Sequence, residues 1–182
     1  MTAGVADVAR RVAATPPACG AVRVVGVDGR SGAGKSTFAR ALAQELDAPL
    51  LQLEGLYEGW EGLERGVQLL ATDVLAPLAT GRPGLAPQYD WERGTWGVPL
   101  PVPLTPVLVV EGVGVGAASV ARYLSLLVWL EVPDALRKDR ALTRDGEGYR
   151  PFWETWAAQE RALLAREGIP GRADVVLDAA ST

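Results

Sequence analysis

Eight residues, GRSGAGKS at positions 29–36, constrain this chain more than anything else in it. They complete the pattern G-x-x-x-x-G-K-[ST], and their setting matches it. Residues 22–27 are apolar apart from Arg23 and read as a buried strand. Residues 35–46 read as a helix, with Phe38, Ala39, Leu42 and Leu46 spaced for one buried face. Glycines let a backbone bend around an anion without a Cβ clash. The amides of such a loop, together with the helix N-terminus behind it, converge on phosphate oxygens. Gly29, Arg30, Ser31, Gly32, Ala33, Gly34, Lys35, Ser36 and Thr37 are therefore the expected phosphate-binding residues. Lys35 is placed to reach the β- and γ-phosphates of a bound nucleotide, and the Ser36 hydroxyl to hold Mg²⁺. Thr37 adds a further phosphate contact. Arg30 either lines the site or faces solvent.

The rest of the chain alternates in the same way. Strands are expected at residues 50–53, 107–110, 126–132 and 175–177. Helices are expected at 4–14, at 63–76 with Pro77 ending it, at 134–142, and after Pro151. Continuously apolar strands between helices describe an α/β fold. The expectation is a three-layer sandwich with a mostly parallel five-stranded sheet. Residues 81–106 are rich in Pro, Gly and Trp and read as an excursion of loops, with a short helix near 90–94. Residues 144–150 read as polar and flexible. Phe152, Trp156, Leu163 and Leu164 mark the buried side of the last helix. One domain of 182 residues is expected. Its acceptor-side excursion would span about residues 54–106 and its lid about residues 137–150.

Composition removes several chemistries. The chain has no histidine and a single cysteine, Cys19. That excludes a Ser-His-Asp triad, histidine zinc sites and an internal disulfide. A formal charge of -4 argues against nucleic acid as the main partner. No apolar run approaches the length of a membrane span, and the N-terminus lacks the long apolar stretch of a signal peptide. A cytoplasmic protein with no membrane partner follows as an expectation. Oligomeric state stays open, with a homodimer as one option.

Three carboxylates fall at the ends of expected strands: Asp28, Glu54 and Glu111. Ligands of a parallel sheet gather beyond those ends. Glu111 is the expected organiser of the metal and its waters, against the alternative of a structural ion pair. Glu54 is a candidate general base or anchor for an acceptor hydroxyl, against a turn carboxylate facing water. Asp28 is as readily a turn former as a functional group. Arg137, Arg140 and Arg144 share a helical face. Arg140 or Arg144 is the expected lid arginine on phosphate, against a solvated charged face. Trp60, Trp91 and Trp96 lie in irregular segments, where they can wall an apolar acceptor pocket. Trp129, Trp153 and Trp156 read as core.

Several segments taken together resemble one family. They are VDGRSGAGKST at 27–37, EGLYEGWEGL at 54–63, YDW at 89–91, VVEG at 109–112, LRKDRALTRDG at 136–146 and RADVVLD at 172–178. In this order they resemble the uridine kinase-like branch of the P-loop small-molecule kinases, in particular a compact bacterial subgroup. The resemblance implies Mg-ATP as donor and a nucleoside as acceptor. It places Glu54 where the family carries a catalytic Asp, and Tyr57 at the nearby aromatic. Tyr89, Asp90 and Trp91 correspond to a Tyr-Asp-Phe element at the acceptor pocket. Two departures stand out. Glutamate carries its carboxylate one methylene further than aspartate. The lack of histidine also removes a side chain that recognises the base in members acting on uridine. The expected activity is thus phosphoryl transfer from Mg-ATP to a hydroxyl of a small metabolite. Two alternatives are a nucleotide-binding module without transfer activity and a nucleoside monophosphate kinase.

Overall fold

The computed structural model describes residues 2–179. Five strands build its central sheet: β1 (Arg23–Asp28), β2 (Leu50–Gln52), β7 (Val107–Glu111), β8 (Leu124–Glu131) and β9 (Val175–Asp178), in the spatial order β2-β7-β1-β8-β9. Every pairing is parallel. The apolar runs read as strands are therefore strands, each within two residues of its expected ends.

A strand buried on both faces must feed two cores, because successive side chains point to opposite sides. That division is visible in β8. Leu127 and Trp129 enter one core, while Leu126, Val128 and Leu130 enter the other. The second core is closed by α1 (Thr2–Ala14) and by α2 (Lys35–Glu45), through Val8, Val12, Phe38 and Leu42. The first core is closed by α3 (Leu63–Leu69), by α5 (Ala118–Ala121) and by α7 (Trp153–Glu167). Trp129 is 1% exposed at its centre. Burying an aromatic or aliphatic side chain of this kind contributes about 1.5–3 kcal/mol. The result is the expected α/β sandwich of three layers.

Between α3 and β7 the chain departs from expectation. Pro77 does not end the helix. A wide i to i+5 turn over Leu70–Leu75 precedes it, with the Ala76 amide donating to the Ala71 carbonyl, and helix α4 (Ala76–Ala79) follows. Proline lacks an N–H, and the wide turn re-spaces the ladder around that gap. The excursion is also more ordered than a set of loops. It pairs β3 (Gly84–Ala86) with β6 (Leu100–Val102), and β4 (Tyr89–Asp90) with β5 (Thr95–Trp96), both antiparallel. No helix forms near residues 90–94. Instead the Asp90 carboxylate caps the turn, accepting the amides of Glu92 at 3.1 Å and Arg93 at 3.0 Å.

Helix α6 (Asp134–Tyr149) runs through the segment expected to be flexible. Gly146, at φ 60°, kinks it. Pro151 lies in a 3-10 turn before α7 rather than inside that helix, and Phe152 is 40% exposed rather than core.

Candidate active site

The strand order brings the functional segments together. β2, β7 and β1 are neighbours, and Glu111 pairs in register with Gln52 on one side and Val27 on the other. The phosphate loop after β1, the carboxylate that ends β7 and the turn after β2 thus open at one level of the sheet.

The loop itself is held from below. Asp28 is fully buried. It accepts the amides of Gly29 at 2.6 Å, Gly114 at 3.1 Å and Gly116 at 2.8 Å. This turn-anchoring role removes Asp28 from the candidates for metal or substrate contact. Gly32 has φ 81°, and a Cβ there would collide with the backbone carbonyl of Arg137. Glycine is thus required both by the left-handed backbone and by the approach of α6. Lys35 is 9% exposed, with Nζ donating to the Arg30 carbonyl at 3.2 Å.

Burial pushes the Asp28 carboxyl up to about 6, against the opposing pull of its three amide donors and the Lys35 ammonium. The folded state therefore holds this proton more tightly than the unfolded chain, whose aspartate titrates near 3.8. The associated stability is fully present below the unfolded value and is lost as pH rises through about 6. Asp28→Asn has no such titration. The stability of the native protein minus that of the variant, from urea denaturation, is expected to fall by about 1 kcal/mol between pH 5 and pH 7. A gap that stays constant or widens over that range contradicts this.

Ser36 and Glu111 meet. The Ser36 hydroxyl donates to Glu111 Oε1 at 2.8 Å, and Gln52 Nε2 donates to the same oxygen at 2.8 Å. A hydroxyl beside a carboxylate is an oxygen-only donor set, which suits Mg²⁺ held partly by water and phosphate. Among the described residues no cluster of three His, Cys, Asp or Glu side chains forms a site for a softer metal.

A cleft of about 490 Å³ opens over this pair. Ser31, Gly32, Lys35 and Ser36 form its phosphate end. Glu54, Tyr57, Trp60, Trp91 and Glu111 line it as well. Glu54 is exposed, and its backbone carbonyl accepts the Trp91 indole at 3.1 Å. Tyr57 is 5% exposed, with its hydroxyl donating to the Val113 carbonyl at 2.9 Å. Burial first, then the Asp28 and Glu111 carboxylates, hold the Tyr57 phenol well above its usual range, so it stays protonated. Trp60 is the hub of the aromatic wall. It stacks on Tyr149 and on Phe152, each at 4.9 Å, and meets Trp91 edge-on at 4.8 Å.

Not every expected residue lines the cleft. Tyr89 stands behind Trp91, edge-on at 5.6 Å, and Trp96 packs on Tyr89 instead of lining it. Asp90 caps its turn and pairs with Arg93. Arg144 lines the cleft with Gly148 and Tyr149. Arg140 reaches instead to the Ala179 carbonyl at 2.9 Å. Arg137 is buried against Glu160, and the Arg30 guanidinium pairs with Glu131 and Asp134 below α6. Gln52, Tyr149 and Trp156 also contribute, although the sequence marks neither Gln52 nor Tyr149 and its periodicity places Trp156 in the core. Trp156 lines the cleft with its indole N–H 2.9 Å from Ser31 Oγ.

No protein-family model matches the sequence. The chain is 32% identical over 130 residues to a cytidylate kinase from Pseudomonas aeruginosa, a match that covers 70% of this chain and 57% of that enzyme. It is 46% identical over 59 residues to a cytidylate kinase from Vibrio cholerae, covering 31% of this chain and 26% of that one. The chain thus spans little more than half the length of the curated relatives it matches, or less. Among solved structures, that of a possible uridine kinase from Bacillus stearothermophilus superimposes with a TM-score of 0.70 at 22% identity, over 96% of this chain and 97% of that one. The fold is shared with that structure, and the relatives found by sequence are kinases.

Proposed function

We propose that this protein is a kinase that transfers the γ-phosphoryl group of Mg-ATP to a hydroxyl of a small, unphosphorylated metabolite. A nucleoside is the leading candidate. The observation that carries the proposal is the shared cleft, lined at once by Lys35, by the Ser36–Glu111 pair, by Glu54 and by aromatic side chains.

The loop amides and the Lys35 ammonium bind the β- and γ-phosphates. Ser36 Oγ and Glu111 would hold Mg²⁺ and its waters, and the ion would supply charge neutralisation on the phosphate oxygens. Glu54 accepts a hydrogen bond from the acceptor hydroxyl and takes its proton as the oxygen attacks the γ-phosphorus. The bond from that phosphorus to the β,γ-bridging oxygen breaks, and ADP leaves. Arg144, on the segment proposed as a lid, neutralises charge on the transferring group. Closure of the lid segment, about residues 137–150, over the cleft keeps water from competing as acceptor. The aromatic wall suits a flat acceptor, since tryptophan and tyrosine faces bury ring surface. Glutamate at position 54 extends further into the cleft than aspartate and favours a smaller acceptor or one bound less deeply.

The cytidylate kinase relatives raise a second reading, an acceptor that already carries phosphate. Such an acceptor needs its own cationic pocket. Among the described residues the cationic side chains lining the cleft are Lys35 and Arg144, and Lys35 belongs to the loop proposed for the donor. Arg82 and Arg93 lie outside it. The pocket therefore favours an acceptor without phosphate.

A panel of nucleosides, nucleoside monophosphates and small alcohols, assayed for acceptor-dependent ADP release from Mg-ATP, tests the proposal. At least one unphosphorylated acceptor is expected to stimulate release, and Glu54→Ala to reduce that rate about 100-fold. Tight Mg-ATP binding with no stimulation by any acceptor would instead identify a nucleotide-binding module.

A further inference from the structure

Glu160 on α7 is fully buried, and the transfer step does not use it. Its carboxylate is not idle. Oε1 accepts the Ser31 amide at 2.8 Å and the Trp156 indole N–H at 3.0 Å, while Oε2 lies 3.3 Å from the Arg137 guanidinium. The same indole N–H approaches Ser31 Oγ at 2.9 Å, a hydrogen shared between two acceptors. Arg137 is 4% exposed, and its Nε donates to Asp134 at 2.8 Å. Asp134 in turn takes the side chain of Arg30, the neighbour of Ser31 in the loop.

A buried ion pair of this kind gives little net stability, because desolvation offsets most of the attraction. What it does give here is connection. Two consecutive residues of the phosphate loop are held by side chains of α6 and α7, and one of those side chains, Trp156, is also a wall of the acceptor cleft. Trp156 packs edge-on against Tyr57 at 5.0 Å, on the acceptor side.

We infer that Glu160 is a positioning residue for the phosphate loop, holding the Ser31 amide and the Trp156 indole in one network so that the anion-binding shape of the loop is set from α7 and shared with the acceptor wall. The inference rests on the nucleotide-binding reading of the loop, though not on transfer activity. The contact is to a backbone amide, so the sequence of the loop cannot replace it. Gly29 and Gly32, two residues before it and one after, leave the loop free to relax when that acceptor is withdrawn.

The test compares two double variants that remove the buried charges together. Arg137→Met with Glu160→Leu leaves the Ser31 amide without its acceptor. Arg137→Met with Glu160→Gln retains a carbonyl oxygen for it. Replacing a buried pair with apolar groups of similar volume is often neutral for stability, so the Leu pair is expected to keep its Tm within a few degrees. Titration with Mg²⁺ and a non-hydrolysable ATP analogue, followed by calorimetry, is the readout. Leu is expected to weaken binding about tenfold, and Gln to restore it to within about threefold of the native protein. A purely structural carboxylate would move Tm and leave the dissociation constant alone. Unchanged or tighter binding in the Leu pair overturns the inference, as does equal weakening in both pairs. Should the Leu pair fail to fold, Trp156→Phe keeps an aromatic ring, though a smaller one, and removes the shared N–H, with binding about threefold weaker expected and unchanged binding overturning the inference. A native protein that fails to bind the analogue would overturn the nucleotide reading as well, whereas a native protein that binds it alongside unaffected variants defeats this inference alone.

Discussion

Lys35→Met is expected to lower kcat/KM for acceptor-dependent ADP release by about 10³-fold or more while leaving the fold intact. Methionine keeps the length and apolar stem of lysine and removes only the ammonium. Lys35 is 9% exposed, and among the described residues its ammonium hydrogen-bonds to the Arg30 carbonyl and forms no ion pair, so its loss leaves no buried carboxylate stripped of a direct partner. Tm should therefore change little. The rate should change greatly, because phosphoryl transfer depends on fixed charge around oxygens that gain negative character as the bond breaks. A 10³-fold loss corresponds to about 4 kcal/mol of transition-state stabilisation. Binding of a non-hydrolysable analogue should weaken by less than the rate does, since part of the interaction strengthens only at the transition state. A variant that retains more than about a tenth of native activity would show that Lys35 is not a principal phosphate ligand.

Legibility in the sequence tracked the range over which each feature is determined. The phosphate loop was legible because its bends arise within eight residues, from glycines at 29, 32 and 34 and from the strand and helix that flank them. The sheet was legible because the interiors of strands buried on both faces are apolar, as residues 24–27 of β1 and 126–130 of β8 are. Glu111 could be singled out by its position at a strand end. Features that depend on distant partners were not available in this way. The Ser31–Glu160 contact spans 129 residues, and neither end carries a local mark of it. Gln52 became a site residue only through registration with Glu111. The arginines show the limit of periodicity. Residues 137, 140 and 144 do share a helix, yet the face is broad enough that Arg137 enters the core, Arg140 turns toward Ala179 and Arg144 lines the cleft. At residues 90–94 the turn chemistry of Asp90 and the ring pair Tyr89–Trp96 across the hairpin outweighed any helical preference.

Glu111→Gln carries the second large effect, and its direction separates a metal-organising carboxylate from a structural one. Glu111 is 4% exposed and accepts two donors at one oxygen, from Ser36 and Gln52. Glutamine preserves volume and still offers a carbonyl oxygen to those donors, so stability should fall by no more than about 1 kcal/mol. It cannot supply the negative charge that orders metal-bound water. The expected result is a fall in kcat of about 10²- to 10³-fold, with the Mg²⁺ concentration for half-maximal rate shifted several-fold upward. Excess Mg²⁺ should recover part of the rate, because mass action refills a weakened site but cannot restore the lost orientation of its waters. Ser36→Ala provides the matching control, since it removes the direct oxygen ligand while leaving the carboxylate, and the two effects should combine less than additively if both act on one ion. Full activity in Glu111→Gln with unaltered Mg²⁺ dependence would assign this carboxylate to packing, and leave Gln52 and Ser36 as its hydrogen-bond partners and nothing more.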